Sequence, residues 1–130
     1  MPEARAEVEI DRPADLVWAL IGSFDDVSWI PGATALQIDG DIRTFRLGDS
    51  VVRHRLVHAH EPTRSYTYAL ADETESGHAN EATIQVFEMS PSTSAVVWTA
   101  RSERRRGSSE GLSRFFQGIL DGVKERLECA

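Results

Sequence analysis

A change in hydrophobic period near residue 109 constrains the fold of this chain more than any other feature of its sequence. Before this point, apolar and polar residues alternate in short runs, as in β-strands that bury one face. Over 109–127, apolar residues instead recur at steps of three and four, which predicts one long amphipathic helix. A curved antiparallel sheet wrapped around this helix would bury both apolar faces. We therefore expect an α+β fold with the sheet around the C-terminal helix.

Turn signals divide the region before residue 109 into short elements. The predicted strands, about seven in number, cover 3–10, 34–39, 42–47, 50–60, 65–71, 81–89 and 95–103. Short connections such as Asp39-Gly40-Asp41 favour antiparallel pairing of consecutive strands. After the first strand, Pro13 near a helix start and Gly22 at its end predict one short helix, and 24–30 predicts a second.

Length and charge limit the classes of protein to which the chain can belong. With 130 residues it can bury one hydrophobic core, so residues 1–130 are expected to form a single domain. The net charge of −7 disfavours nucleic acid as a partner, because phosphate binding requires a basic surface. No apolar run is long enough to cross a bilayer, and the first residues lack the apolar stretch of a signal peptide. We expect a cytoplasmic protein without a membrane partner, as a monomer or a homodimer.

Metal and nucleophile chemistry have little support in the sequence. Cys129 is the single cysteine, which excludes a disulfide framework or a cysteine zinc site. His58 and His60 form a His-x-His pair that could hold a metal on one side of a strand, but Arg64 and Ser65 stand where a carboxylate ligand would be sought. The sequence has no Gly-x-Ser-x-Gly motif and no phosphate-binding glycine loop. We predict neither a metal nor a cofactor.

Alternation along the strand 50–60 indicates which residues face the interior. One face of this strand carries Val52, His54, Leu56, His58 and His60. The other face carries Arg53 and Arg55, and burying an arginine costs more than burying a histidine. We therefore place the face of His54 inward.

The same argument supplies the remaining candidates for a binding pocket. Tyr68 and Trp98 are the best candidates for its walls, because an aromatic ring combines a large area with one polar group; ordinary core packing is their alternative role. Glu81 could act as an acid or base if it points inward, and is solvated if it lies at the open end of its strand. The other predicted ligand-binding residues are Trp29, Tyr66, Leu70, Thr83, Ala100, Phe115, Phe116 and Ile119.

Several motifs, taken in order, resemble one known family. The segment 8–18, VEIDRPADLVW, is followed by WIPG at 29–32 and GDIR at 40–43. Together they resemble the polyketide cyclase/dehydrase group of the START-like superfamily, which has the helix-grip fold. The resemblance implies a deep pocket between sheet and C-terminal helix for a small apolar or amphipathic ligand, without implying one reaction. His54 stands where such relatives often carry an inward glutamate, which argues against a carboxylate mechanism here.

Two functions follow from these observations. The first is a non-catalytic binding or carrier protein for a small hydrophobic or aromatic molecule, which the absence of a nucleophile motif favours slightly. The second is a cyclase or dehydratase-like enzyme, in which pocket shape orients the substrate while His54, Tyr68 or Glu81 transfers a proton.

Three glycines lie along one edge of the predicted C-terminal helix. Gly111, Gly118 and Gly122 fall within about 40° of each other on a helical wheel, and each costs about 1 kcal/mol of helix stability relative to alanine. One explanation is close packing of the helix backbone on the sheet or on a partner subunit. The other is a loosened helix that moves to admit the ligand.

Overall fold

The computed structural model describes residues 3–70, 81–101 and 109–129. Its elements are β1 (Glu3–Ile10), α1 (Ala14–Ile21), β2 (Ala33–Asp39), β3 (Ile42–Leu47), β4 (Ser50–His60), a 3-10 turn (Glu61–Thr63), β5 (Ser65–Leu70), β6 (Glu81–Ser90), β7 (Thr93–Arg101) and α2 (Ser109–Glu128). The strands form one antiparallel sheet of seven, in the order β1-β7-β6-β5-β4-β3-β2. The predicted α+β helix-grip architecture is confirmed.

The interior lies between the concave face of the sheet and α2. In β1, Ala4, Ala6, Val8 and Ile10 are buried, as their alternation predicts. Helix α2 contributes Phe116, Ile119, Leu120 and Val123. These residues form one continuous hydrophobic core with the inner faces of the neighbouring strands.

Side chains of α2 attach this helix to the free edge of β1. The Ser113 hydroxyl accepts a 2.9 Å hydrogen bond from the backbone N–H of Arg5. Gln117 and Lys124 donate to the carbonyl oxygens of Glu7 and Glu9, at 3.0 and 2.7 Å. These bonds satisfy backbone groups that an edge strand would otherwise leave open to another chain. In the described part of the chain, neither helix is long and apolar enough to span a membrane.

One short helix, not two, follows β1, so the predicted helix over 24–30 is wrong. This segment is a series of turns, in which Ile30 N–H donates to the Val27 carbonyl at 2.9 Å. The Asp26 side chain accepts from Ser28 N–H, and the Asp26 carbonyl accepts from the Trp29 indole. These local bonds compete with helical ones, which is why aspartate favours turns.

An irregularity in β4 overturns the predicted orientation of His58 and His60. Leu56 lies opposite Tyr68 in β5, whereas His58 lies opposite Thr67, so Val57 is an extra residue in the ladder. Because strand side chains alternate, one extra residue moves all later ones to the other face. Both histidines are exposed on the outer face.

Thr83 and Glu81 also lie on the outer face of the sheet, so the predicted position of Thr83 at the pocket is wrong. The inner face of β6 carries Ala82 and Ile84, which are buried. The Thr83 hydroxyl instead bonds that of Thr67 across the outer face, at 2.7 Å. Alternation within β6 predicts this face, because Ala82, Ile84 and Val86 are apolar whereas Glu81, Thr83 and Gln85 are polar.

Candidate functional site

The centre of the candidate site is a buried arginine that the sequence analysis did not select. Arg43 lies on the inner face of β3, opposite His54 of β4, and is 1% exposed. Its Nε donates a 3.1 Å hydrogen bond to His54 Nδ1, and its Nη1 donates a 3.0 Å bond to the Phe24 carbonyl. The guanidinium carbon lies 4.4 Å from the centroid of the Phe24 ring and 5.3 Å from that of Tyr68. These aromatic faces stabilise the cation in part.

The positive charge of Arg43 has no carboxylate partner among the described residues. The ion pairs of this part of the chain involve other cations, such as Arg64 with Asp15 and Lys124 with Glu128. An arginine stays protonated in proteins, and a buried charge without a counter-ion is costly. The site therefore carries a positive charge that no described carboxylate balances.

His54 is held neutral beside this cation. Burial lowers the pKa of His54 to about 3, and the charge of Arg43 acts in the same direction. Because Nδ1 accepts the hydrogen bond from Arg43, the proton of the neutral ring is on Nε2. No described protein group accepts from this Nε2–H. His54 is thus a hydrogen-bond donor with one unused N–H.

Two buried tyrosines complete the polar part of the site. The Tyr68 hydroxyl accepts a 3.2 Å hydrogen bond from the Trp98 indole and keeps its own proton for donation. Burial raises the pKa of both Tyr66 and Tyr68, so both phenols are neutral. The Tyr66 hydroxyl is fully buried and forms no hydrogen bond with a described group.

A cavity of about 100 Å³ lies next to these groups, between the sheet and α2. Its polar lining residues are Arg43, His54, Tyr68 and Trp98. Its apolar lining residues are Ile30, Phe45, Leu47, Val52, Phe115, Phe116 and Ile119. The ring of Phe116 stacks on Trp98 with centroids 4.0 Å apart, while Phe115 is 46% exposed. An apolar cavity with polar groups on one side is the usual form of a small-molecule site.

The structure brings seven of the predicted residues together around this cavity: Val52, His54, Tyr68, Trp98, Phe115, Phe116 and Ile119. Four others were predicted at the pocket but belong to the surrounding core. Trp29 packs against Trp98, and Tyr66 contacts Phe24 edge to face. Leu56 and Ala100 are half-buried against the same core. The side chain of Leu70 lies outside the described part.

Four residues at the cavity were not predicted from the sequence: Ile30, Arg43, Phe45 and Leu47. The last three alternate along β3, which is the period of a face directed inward. The opposite face of β3 carries Ile42, Thr44 and Arg46, so each face holds one arginine and composition did not distinguish them.

The described residues at the site do not form a metal centre. No three histidine, cysteine, aspartate or glutamate side chains lie together in the ranges 3–70, 81–101 and 109–129. The predicted pair His58 and His60 is stacked on the outer surface, with ring centroids 6.0 Å apart. His60 Nδ1 lies 2.9 Å from the Thr63 hydroxyl.

Solved structures show which proteins this chain is similar to. It matches XoxI from Bacillus cereus with 26% identity and a TM-score of 0.81, covering 97% of this chain and 95% of that one. A START superfamily protein from Mycobacterium smegmatis, 12% identical, has a TM-score of 0.66 over 97% and 94% of the two chains.

The di-domain ARO/CYC BexL of the BE-7585A biosynthetic pathway, 18% identical, has a TM-score of 0.75 over 98% of this chain. The match covers 47% of BexL, so this chain spans about half of its length. The similarities to the Mycobacterium smegmatis protein and to BexL, both below 25% identity, show a shared fold alone. No curated protein matches the chain significantly. A family model, however, matches residues 1–130 over their whole length, and this chain belongs to the polyketide cyclase / dehydrase and lipid transport family.

Proposed function

We propose that this protein binds a small hydrophobic or aromatic molecule in the cavity between the sheet and α2, as a non-catalytic binding or carrier protein. The observation that carries this proposal is a cavity lined mainly by apolar side chains, at which the two titratable groups His54 and Tyr68 are both held neutral. General acid–base catalysis works best when the pKa of the group is near the working pH. The pKa of His54 is about 3 and that of Tyr68 is raised, so neither group exchanges protons readily near neutrality.

The geometry of His54 supports the same conclusion. Its one basic nitrogen, Nδ1, is occupied by the hydrogen bond from Arg43. A general base must offer a free lone pair to the proton that it removes. His54 and Tyr68 are therefore suited to orient a bound molecule by donating hydrogen bonds.

A cyclase or dehydratase-like enzyme is the second candidate, and the family description favours it. In this case Arg43, His54 and Tyr68 would stabilise negative charge that develops on a substrate oxygen, and proton transfer would fall to the substrate or water. Glu81 has no role in this mechanism, because its position in β6 places it on the outer face of the sheet. Turnover of a poly-β-ketone substrate by the purified protein would favour this candidate over the first.

The binding proposal is tested with an apolar fluorescent probe and two matched variants. Phe115 lines the cavity and is 46% exposed, whereas Phe87 lies on the outer face of β6 and is 42% exposed. We expect Phe115→Ala to weaken probe binding and Phe87→Ala to leave it unchanged. Equal effects of both variants, or no binding to the parent protein, would contradict the proposal. Native mass spectrometry of freshly purified protein then identifies any molecule that it retains.

A further inference from the structure

We propose that the ligand is a small carboxylic acid, bound as its anion, whose carboxylate pairs with Arg43 inside the cavity. This inference rests on the proposed function, because it assumes that the cavity binds a ligand. It adds the chemical class of that ligand and identifies the residue that selects it.

The first argument is the charge of Arg43. The residue is 1% exposed, lines the cavity and forms no ion pair with a described carboxylate. Its hydrogen-bond acceptors are a neutral imidazole nitrogen and a backbone carbonyl, and the neutral Tyr66 hydroxyl lies near the guanidinium. Because an isolated buried cation is costly, an anion that enters the cavity gains a partner already free of water.

The second argument is the lack of negative charge around the arginine. The groups facing it from β4 and β5 are His54, Tyr66 and Tyr68, all neutral near pH 7. From the turn after α1, Asp26 is near enough to influence Tyr66, but its Oδ1 accepts from Ser28 N–H and it forms no ion pair with Arg43. An incoming carboxylate therefore meets an arginine with which no described carboxylate is paired.

The third argument is the balance of donors and acceptors. A guanidinium has five N–H groups; two of those on Arg43 donate to His54 and to the Phe24 carbonyl, and the Tyr66 hydroxyl lies near enough to interact with the guanidinium. The Nε2–H of His54 and the hydroxyl proton of Tyr68 are also unused by described groups. A ligand that satisfies this surplus of donors needs several acceptor lone pairs at one end, which a carboxylate provides.

The cavity limits the rest of the molecule. Its volume is about 100 Å³, less than that of an engineered cavity of about 150 Å³ that holds benzene in another protein. The enclosed space therefore holds the carboxylate and part of a small apolar group, while the rest of that group lies beside the partly exposed Phe115. Away from the arginine, Phe115, Phe116 and Ile119 form an apolar wall. The ligand thus has one small ring or a short chain attached to its carboxylate.

The experiment compares benzoate with its neutral analogue benzamide by calorimetry at pH 7, with the apolar fluorescent probe as a third ligand. We expect the parent protein to bind benzoate about tenfold or more tightly than benzamide, because hydrogen bonds to charged groups are stronger than neutral ones. Arg43→Met should abolish this preference. Arg46→Met, on the exposed outer face of the same strand, is the matched control and should keep it.

A second variant guards against misfolding of Arg43→Met. His54→Glu places a carboxylate next to Arg43 Nε, so the protein itself neutralises the cation and benzoate should lose its advantage over benzamide. His58→Glu introduces the same charge on the exposed outer face of the same strand and should keep that advantage. If the parent binds the probe but does not prefer benzoate, or if His54→Glu keeps the preference, the carboxylate inference is overturned and the binding function stands. If none of the three ligands binds, both proposals fail.

Discussion

Arg43 Nε donates a 3.1 Å hydrogen bond to His54 Nδ1, which joins a permanent cation on β3 to an imidazole on β4, on the inner face of the sheet. Both residues are buried, at 1% and 8% exposure. The cation and the low polarity of the interior both disfavour a second positive charge, so the imidazole stays neutral. This pair therefore places one positive charge, and not two, at the cavity.

Acidification should destabilise the protein through His54. The folded-state pKa of His54 is about 3, below the ordinary value of 6.5, so the unfolded chain binds one more proton between these values. The free energy of unfolding therefore falls as pH drops below 6.5. The contribution of His54 to this fall ends near pH 3, where the folded protein binds the proton as well. Between pH 7 and pH 5 we expect a loss of about 2 kcal/mol from this residue.

Urea unfolding at pH 7 and pH 5 measures this loss. His54→Gln removes the titrating group, so the variant should show a smaller decrease in stability than the parent by about 2 kcal/mol. Other groups titrate alike in both proteins and cancel in the comparison. An equal decrease in parent and variant would show that His54 is not shifted.

The two buried tyrosines should respond oppositely to loss of the hydroxyl. Tyr68→Phe leaves the Trp98 indole N–H without its acceptor and should lower the free energy of unfolding by about 1–3 kcal/mol. Tyr66→Phe removes a buried hydroxyl that bonds no described group, and should be neutral or stabilising.

Chemical denaturation of the two variants provides the measurement. Each serves as the control for the other, since both changes remove one oxygen from a ring on the inner face of β5. A similar loss of stability in both would mean that Tyr66 has an acceptor or donor in solution.

The effect of replacing a glycine by alanine depends on whether the added methyl group has free space around it. At Gly118 and Gly122 a Cβ atom would meet nothing within 4 Å, so close packing within the described chain does not account for them. Gly118→Ala should stabilise α2 by about 1 kcal/mol. At Gly22, which ends α1, a Cβ atom would overlap the Trp18 indole, and Gly22→Ala should destabilise by about 1–3 kcal/mol.

Thermal unfolding of the two alanine variants gives the signs of these effects. Rates of ligand exchange in Gly118→Ala test the remaining hypothesis, that the glycines loosen α2 for ligand entry. Slower exchange with a raised melting temperature would support it. The bonds of Ser113, Gln117 and Lys124 to β1 favour unchanged exchange, because they hold the helix along its length.

Much of the fold was predictable because the patterns concerned are local. The alternation in β1 specifies a buried face without reference to any other strand, since one set is apolar and the other is charged. The bounds of β3 and β4 follow from the glycine turns around them, and those of α2 from its changed period. The side chains of α2 at the cavity, such as Phe116 and Ile119, follow from the same period.

The chemistry of the site depends on contacts between residues far apart in the sequence. Each face of β3 carries one arginine. Arg43 is the buried one because it contacts groups from other parts of the chain, namely the Phe24 carbonyl, His54 and the ring of Tyr68. The bulge at Val57 likewise depends on how β4 pairs with β5, which alternation in one strand does not encode. Local sequence patterns thus specify the helices, the strands and the apolar α2 side of the cavity, whereas long-range pairing between strands specifies which polar groups face it.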